Sequence, residues 1–270
     1  MFYEEAEIYD HYAQDMAHGL SVVDHESYEV IIDSRRKELL KHWLIDKRGI
    51  YLDYGCGDGS FSRFVAEDLG TNVVGVDLSK GMIRVSSYKS KGHQRLMFLV
   101  ADCHALPFRD KSFDAILGMG IFHHLRWRRA IFECHRLLKE GGVLVAFEPN
   151  SFGLLAFLGR KLFKTRIHTP DERPINPWSF IKEMESKGFR VVNLSFLSFL
   201  GFALPFILAS NPDHLIKKLR RCAIYLKTID QLFEKIPVVK FLCWLFGIVG
   251  VKKQMAPKKD FLSENQLILD

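Results

Sequence analysis

Residues 51–60 read YLDYGCGDGS: a short apolar run closed by an acid, Asp53, and then glycine at every second position, Gly55, Gly57 and Gly59. Glycine admits left-handed backbone and close approach of a ligand to the main chain, so a turn of this kind after a strand cradles something anionic or flat. Several cofactors meet that description. The choice among them has to come from the flanking sequence.

IYLDY reads as a buried strand, GCGDGS as the turn and FSRFVAEDL as a helix with Phe61, Phe64, Val65 and Leu69 on one face. A helical pattern over 28–47 (Ile31, Ile32, Leu39, Leu40, Trp43, Leu44) precedes them. The alternation continues with NVVGVDLS as strand, GMIRVSSYKS as helix, RLMFLVAD and FDAILGMG as strands, RRAIFECHRLLK as helix and GGVLVAFEP as strand. Short strands alternating with helices predict an α/β fold with a doubly wound, parallel sheet covered on both faces. In such a sheet ligands sit at the carboxyl ends of the strands.

Beyond residue 150 come a proline-marked loop (Thr169 to Pro177), a helix over 177–187 and a strand from Phe189. Residues 191–212, VVNLSFLSFLGFALPFILASNP, hold no charge. A membrane span needs about 20 apolar residues, but Gly201 and Pro205 favour a strand running into an apolar loop or short helix. Residues 213–236 place Leu215, Leu219, Ala223, Leu226, Ile229, Phe233 and Ile236 on one stripe, with Lys217, Lys218, Arg220, Arg221 and Lys227 mostly off it, an amphipathic helix with a basic face. FLCWLFGIVGVKK is expected as a final edge strand and 258–270 as a loose tail.

The 270 residues, 48% hydrophobic, suffice for one full core with an appendage. Five scattered cysteines without a CxxC pair point away from a disulfide framework and from zinc, and toward a reducing cytoplasm. The opening MFYEEAEIYDHYAQDM carries acids where a secretion signal would carry lysines. Residues 1–150 hold 19 basic and 22 acidic side chains, a balance of −3, whereas 151–270 hold 19 and 10, a balance of +9. Basic and apolar together suit a membrane surface or an anionic, lipid-like partner; a solvated basic surface over an ordinary core is the alternative.

Three acids narrow the cofactor. Asp53, Asp77 and Asp102 each stand at the carboxyl end of a successive strand, on one rim of the sheet. A dinucleotide fingerprint would be GxGxxG with one acid about 20 residues on. Here the spacing is GxGxG, and an acid precedes the first glycine where a pyrophosphate would have to sit. Negative charge there suits a cofactor carrying an ammonium and no phosphate.

Asp53-x-Gly55-x-Gly57-x-Gly59, Asp77, Asp102 and the segments FDAILGMGIFHHL and RLLKEGGVLVAFEPN resemble the class I S-adenosylmethionine-dependent methyltransferases of the small-molecule type, over residues 49 to about 150. The resemblance implies a seven-stranded, Rossmann-like sheet whose last strand is antiparallel, with FGIVGVKK the candidate. It divides the chain into an N-terminal helical lid (1–48), a cofactor-binding core (49–150), an acceptor-side region with closing strands (151–257) and a tail (258–270). It implies that Gly55, Gly57 and Gly59 let the backbone meet the methionine part of S-adenosylmethionine, with Asp53 orienting the ammonium. Asp77 would take both ribose hydroxyls, Leu78 would pack on the adenine, and Asp102, with the Cys103 amide nearby, would accept from its amino group. Tyr9 and Tyr12 are candidates to close over the cofactor.

A sulfonium already makes its methyl electrophilic, so an in-line approach in a water-poor pocket is the main task and a base is optional. His123 and His124 are the candidates for one, or for shaping the pocket. On the acceptor side His168 and Arg173 are candidate substrate contacts, and no metal is called for. The apolar run makes a small, hydrophobic or lipid-like acceptor, methylated at oxygen or carbon, the expectation. No NPPY-type tetrapeptide follows the fourth strand, which speaks against nucleic acid. A methyltransferase-like binding protein without chemistry and a nicotinamide oxidoreductase are the rival readings.

Overall fold

A strand buried on both faces of a sheet must be apolar nearly throughout, and β1 (Ile50–Tyr54) meets that demand from Tyr51 onward, with Asp53 the one polar exception. The computed structural model describes residues 2–17, 25–44, 48–153, 173–201, 203–204 and 215–254. Its further strands are β2 (Asn72–Asp77), β3 (Leu96–Val100), β4 (Phe113–Met119), β5 (Leu138–Pro149), β6 (Phe189–Leu197) and β7 (Leu245–Lys252). Its helices are α1 (Phe2–Ala17), α2 (His25–Tyr28), a π-helical turn (Glu29–Asp33), α3 (Ser34–Leu44), α4 (Ser60–Asp68), α5 (Lys80–Lys89), α6 (Trp127–Leu137), α7 (Pro177–Ser186) and α8 (Leu215–Phe233).

The strands form one seven-stranded sheet of order β3-β2-β1-β4-β5-β7-β6, parallel except for β7. Period-two alternation sends successive side chains to opposite faces. Tyr51, Ala115, Leu117, Val143, Val145 and Phe147 pack with Leu40 and Leu44 of α3 and Phe61 and Val65 of α4. Leu52, Tyr54, Ile116, Leu144 and Ala146 meet Ala130, Ile131 and Cys134 of α6 and Phe180 and Met184 of α7. The strand order reverses between β1 and β4, which opens a crevice beyond their carboxyl ends.

Three expectations change. FGIVGVKK does form the antiparallel strand, but β7 lies inside the sheet, pairing Val145 with Val249 and Leu194 with Ile248, and β6 takes the edge. Its unbroken burial from Leu245 to Gly250 is what an interior strand requires. The helix expected through Lys139 stops at Leu137, because Leu138 already begins β5. The helix expected over 28–47 is broken at its start by the π-helical turn.

Of the uncharged run, residues to Leu197 complete β6, Ser198–Gly201 turn away from the sheet, and 202 and 205–212 lie outside the described residues. The tail 258–270 lies outside them too. Among the described residues no helix is long and apolar enough to cross a membrane.

Where α6 meets β5, the backbone carbonyls of His135 and Leu138 are taken by the buried ammonium of Lys252 at the end of β7 (2.8 and 2.9 Å). Removing a charged donor from buried acceptors costs about 2 kcal/mol. Lys252→Ala is therefore expected to lower the free energy of unfolding by about that much, and a urea midpoint unchanged from the wild type would show the ammonium to be dispensable.

Candidate active site

The glycine turn is shaped by a single carbonyl. Val76 O accepts from both Gly55 N (2.9 Å) and Cys56 N (2.8 Å), drawing the loop after β1 back over the end of β2. Gly55, Gly57 and Gly59 all adopt positive φ (72°, 52° and 75°), where a side chain is strained. A Cβ at Gly55 would collide with Ile121, 2.3 Å away, whereas at Gly57 it would meet nothing within 4 Å. The loop is thus closed behind and open in front.

The three acids do line this rim. Asp53, 1% exposed, sits beneath the loop and accepts from Ser62 Oγ at 2.5 Å. Burial pushes its carboxyl up to about 7, against the pull of Ser62. Asp77 ends β2 and accepts Gly57 N on one oxygen and Ser79 N on the other, both at 2.9 Å. Burial raises its carboxyl as well, in spite of these bonds. The backbone N–H of Leu78 bonds the same carboxylate, and since its two oxygens offer roughly four lone-pair sites, capacity for a further donor such as a ribose hydroxyl remains. Leu78 beside it is half-buried.

Asp102 follows β3 and is held through His104, whose backbone N–H (2.8 Å) and Nδ1–H (2.7 Å) both donate to Oδ1. His104 Nε2 in turn accepts from Arg126 N at 3.1 Å, tying this loop to the start of α6. Partial burial works to raise Asp102, yet the His104 bonds hold it below the usual carboxylate range. Cys103 is buried, and its carbonyl accepts from Tyr54 Oη.

Beyond β4 the chain makes a short 3-10 turn, Phe122–His124, around Glu148 of β5. This fully buried carboxylate receives four N–H groups: Ile121 N (3.0 Å), Phe122 N (2.9 Å), His123 N (3.2 Å) and His123 Nδ1 (2.7 Å). Since a carboxylate only accepts, Nδ1 of His123 carries a proton and the ring's basic lone pair lies on Nε2. His124 stands beside it, ring centroids 4.0 Å apart, with Nε2 3.2 Å from Tyr9 Oη.

Tyr9 arrives on α1, which is clamped across the rim by Asp10. Asp10 Oδ1 accepts from Ser79 Oγ (2.5 Å) and Gly81 N (2.7 Å) at the start of α5. Tyr12 is half-buried and lies close enough to Tyr28 for the two hydroxyls to interact electrostatically. Arg173 is exposed beside the bridge that joins Asn150 to Ile175, and His168 lies outside the described residues.

Sequence reasoning missed three residues. Arg36, 6% exposed, donates to Asp33 Oδ1 (3.3 Å), lies 6.0 Å over the Phe61 ring and feels the charge of Glu148, while its Nε is buried without a hydrogen-bond partner. The signal was present, since Ile32, Arg36, Leu40 and Leu44 recur every four residues and Arg36 interrupts a buried apolar stripe. Glu148 and Asp10 carried no local signal, because both act on partners far along the chain.

The profile of the methyltransferase domain matches residues 52–146, from β1 to β5. Over that segment the chain carries a methyltransferase domain and is similar to the class I S-adenosylmethionine-dependent methyltransferases. An uncharacterised protein of Methanocaldococcus jannaschii is 27% identical over 73% of this chain and 77% of its own. The demethylmenaquinone methyltransferase of Staphylococcus epidermidis is 30% identical over 43% of this chain, which spans about half that relative's length (49%). Among solved structures, the cyclase SpnF superposes with a TM-score of 0.60 at 19% identity over 82% of this chain and 81% of its own. The geranyl diphosphate C-methyltransferase of Streptomyces coelicolor, in complex with geranyl diphosphate and S-adenosylhomocysteine, superposes with 0.55 at 15% identity over 83% and 78%. At these identities the two structures share the fold. The cofactor of this methyltransferase family is S-adenosylmethionine, and the residues present fit it: an open glycine face, a strand-end carboxylate beside it, and a buried guanidinium with an unused N–H.

Glu148→Gln places an amide N–H against the N–H groups of His123 and is expected to lower the free energy of unfolding by roughly 2 kcal/mol. Thermal unfolding at matched pH measures this, and an unshifted midpoint would remove Glu148 as the organiser of the 121–124 turn.

Proposed function

We propose that this methyltransferase transfers the methyl group of S-adenosylmethionine to a small, hydrophobic, lipid-like acceptor, at oxygen or carbon. The observation that carries the cofactor side is the open face of Gly57 with the carboxylate of Asp77 bonded to its N–H, and it is supported by a buried guanidinium, Arg36, whose Nε–H has no hydrogen-bond partner. Asp77 takes the ribose hydroxyls, Leu78 and Asp102 the adenine with the Cys103 amide beside them, Arg36 the carboxylate, and Asp53 the ammonium above the loop of Gly55, Gly57 and Gly59. When bound, the cofactor supplies a methyl group made electrophilic by its sulfonium. The protein then positions the acceptor and keeps water out, with α1 clamped over the rim by Asp10 and Tyr9 and Tyr12 beneath it. For an oxygen acceptor, His123 takes the proton on Nε2, its ring oriented by Glu148, or His124 does so; for a carbon acceptor both shape the pocket.

The acceptor side draws on the uncharged run 191–212 and on the named substrates of the relatives, a demethylmenaquinone and geranyl diphosphate. His168 and Arg173 are its candidate polar contacts. A lipid-like acceptor also sets the protein at a membrane face rather than within it. The alternative, a cofactor-binding protein without transfer chemistry, is favoured by the same-fold neighbour that is a cyclase. Transfer of labelled methyl to a quinol or isoprenoid separates the two.

Burial holds Asp53 protonated below about 7 in the free protein, so seating an ammonium beside it expels that proton. Calorimetry at pH 6 in buffers of different ionisation enthalpy is expected to show proton release on S-adenosylmethionine binding, and Asp53→Asn to show none. Because the folded carboxyl lies above its unfolded value, the wild type loses stability as pH rises from 4 to 7, by up to about 1.4 kcal/mol per unit, and Asp53→Asn removes that slope. Asp77→Ala is expected to weaken the cofactor roughly tenfold or more. Tight NADH binding with none of S-adenosylmethionine would overturn the assignment.

A further inference from the structure

Helix α8 is held to the protein along one side. Ala223 and Asp230 are buried, and Asp230 accepts from Leu200 N (2.7 Å), Gly201 N (2.9 Å) and Ser198 Oγ (3.3 Å). One turn on, Glu234 accepts from Arg35 Nη2 (2.8 Å) and Ser198 N (3.2 Å). These bonds fix the rotation of the helix about its axis. The stripe read from sequence as one core-facing row is thereby divided, with Ala223 and Leu226 turned inward and Ile229 and Ile236 exposed.

The outward face is apolar to a degree unusual for solvent: Ile224 is 63% exposed, Tyr225 69%, Leu232 61% and, just past the helix, Val238 75%. Its charge setting is one-sided. Residues 215–240 hold seven basic side chains and two acidic ones, and both acids, Asp230 and Glu234, are the inward anchors just described. Among the described residues Lys235, just past the helix, is exposed, and Lys227 and Lys240 are partly so. An apolar row containing a tyrosine, on a segment rich in lysine and arginine whose two acids are turned inward, complements an anionic lipid interface, where apolar groups enter the acyl boundary and cations meet head groups. A second copy of this chain would bring the same positive charge to the contact and repel it.

We propose that the outward face of α8 and the turn after it dock flat on an anionic phospholipid bilayer. This rests on the lipid-like acceptor reading and deepens it: α8 packs on the π-helical turn Glu29–Asp33, so the docked face is fixed to the same N-terminal elements as the rim.

The test is co-sedimentation of the full chain with vesicles of phosphatidylcholine containing phosphatidylglycerol, against phosphatidylcholine alone. Binding is expected only to the anionic vesicles, and to fall as salt rises, since charge attraction is screened over about 10 Å at 0.1 M. Replacing two exposed anchors, Ile224→Ser with Leu232→Ser, is expected to weaken binding tenfold or more while calorimetry shows S-adenosylmethionine binding unchanged. Protein that binds the cofactor but stays in the supernatant with anionic vesicles overturns the docking and leaves the methyltransfer reading standing. Vesicle binding without cofactor binding does the reverse. A dimer in sedimentation velocity that the double variant dissolves, with no vesicle binding, assigns the face to a second copy and also overturns the proposal.

Discussion

A carboxylate buried away from water has to be met by N–H groups, and the rim beyond β4 is arranged around one that is met by four. Glu148 comes up at the end of β5 with no solvent exposure and gathers the amides of residues 121–123 and the ring of His123. Left unpaired, such a group would cost several kcal/mol. The turn after β4 therefore has little freedom to sit elsewhere. Ile121, held in that turn, backs the glycine loop at Gly55, and His124 beside it receives Tyr9 from α1. One desolvated charge thus couples β5, the rim beyond β4, the cofactor loop and the N-terminal cover.

The N-terminal elements are tied to the rim at more than one point. Asp10 fastens α1 to the start of α5, next to the acid that ends β2. The π-helical turn shifts the register so that Tyr28, Asp33 and Arg36 meet one another. Extra residues of this kind recur at functional positions. Here the turn sets a buried guanidinium over the Phe61 ring, at the start of the helix that follows the glycine loop, at the expense of a regular helix.

Stability and chemistry pull in opposite directions at Asp53. Burial favours its neutral form and the Ser62 hydroxyl its charged form, which leaves it near the midpoint at neutral pH. A cation arriving above the loop would tip it to the charged form, which is the sense in which the proposed ammonium is its complement.

How much of this could be read without coordinates follows from the range of each interaction. The strand and helix alternation, the GxGxG turn and the acids Asp53, Asp77 and Asp102 are local: each depends on residues within one strand and the turn that follows it, and strand ends of a parallel sheet share a rim by topology. The amino-acid sequence by itself therefore determined the α/β class and the placing of the glycine turn and the strand-end acids, and the resemblance it carries implied the antiparallel strand. Contacts across long stretches of chain settled the rest. The placement of β7 inside the sheet, the binding of His123 by Glu148 and the clamp of α1 by Asp10 each join elements tens of residues apart or more. The amphipathic pattern of 213–236 showed that a helix would form, but its inner side was decided by where Asp230 and Glu234 found their donors. A periodic pattern specifies a helix and its stripes, whereas the rotation that buries one stripe is set by the partner it meets.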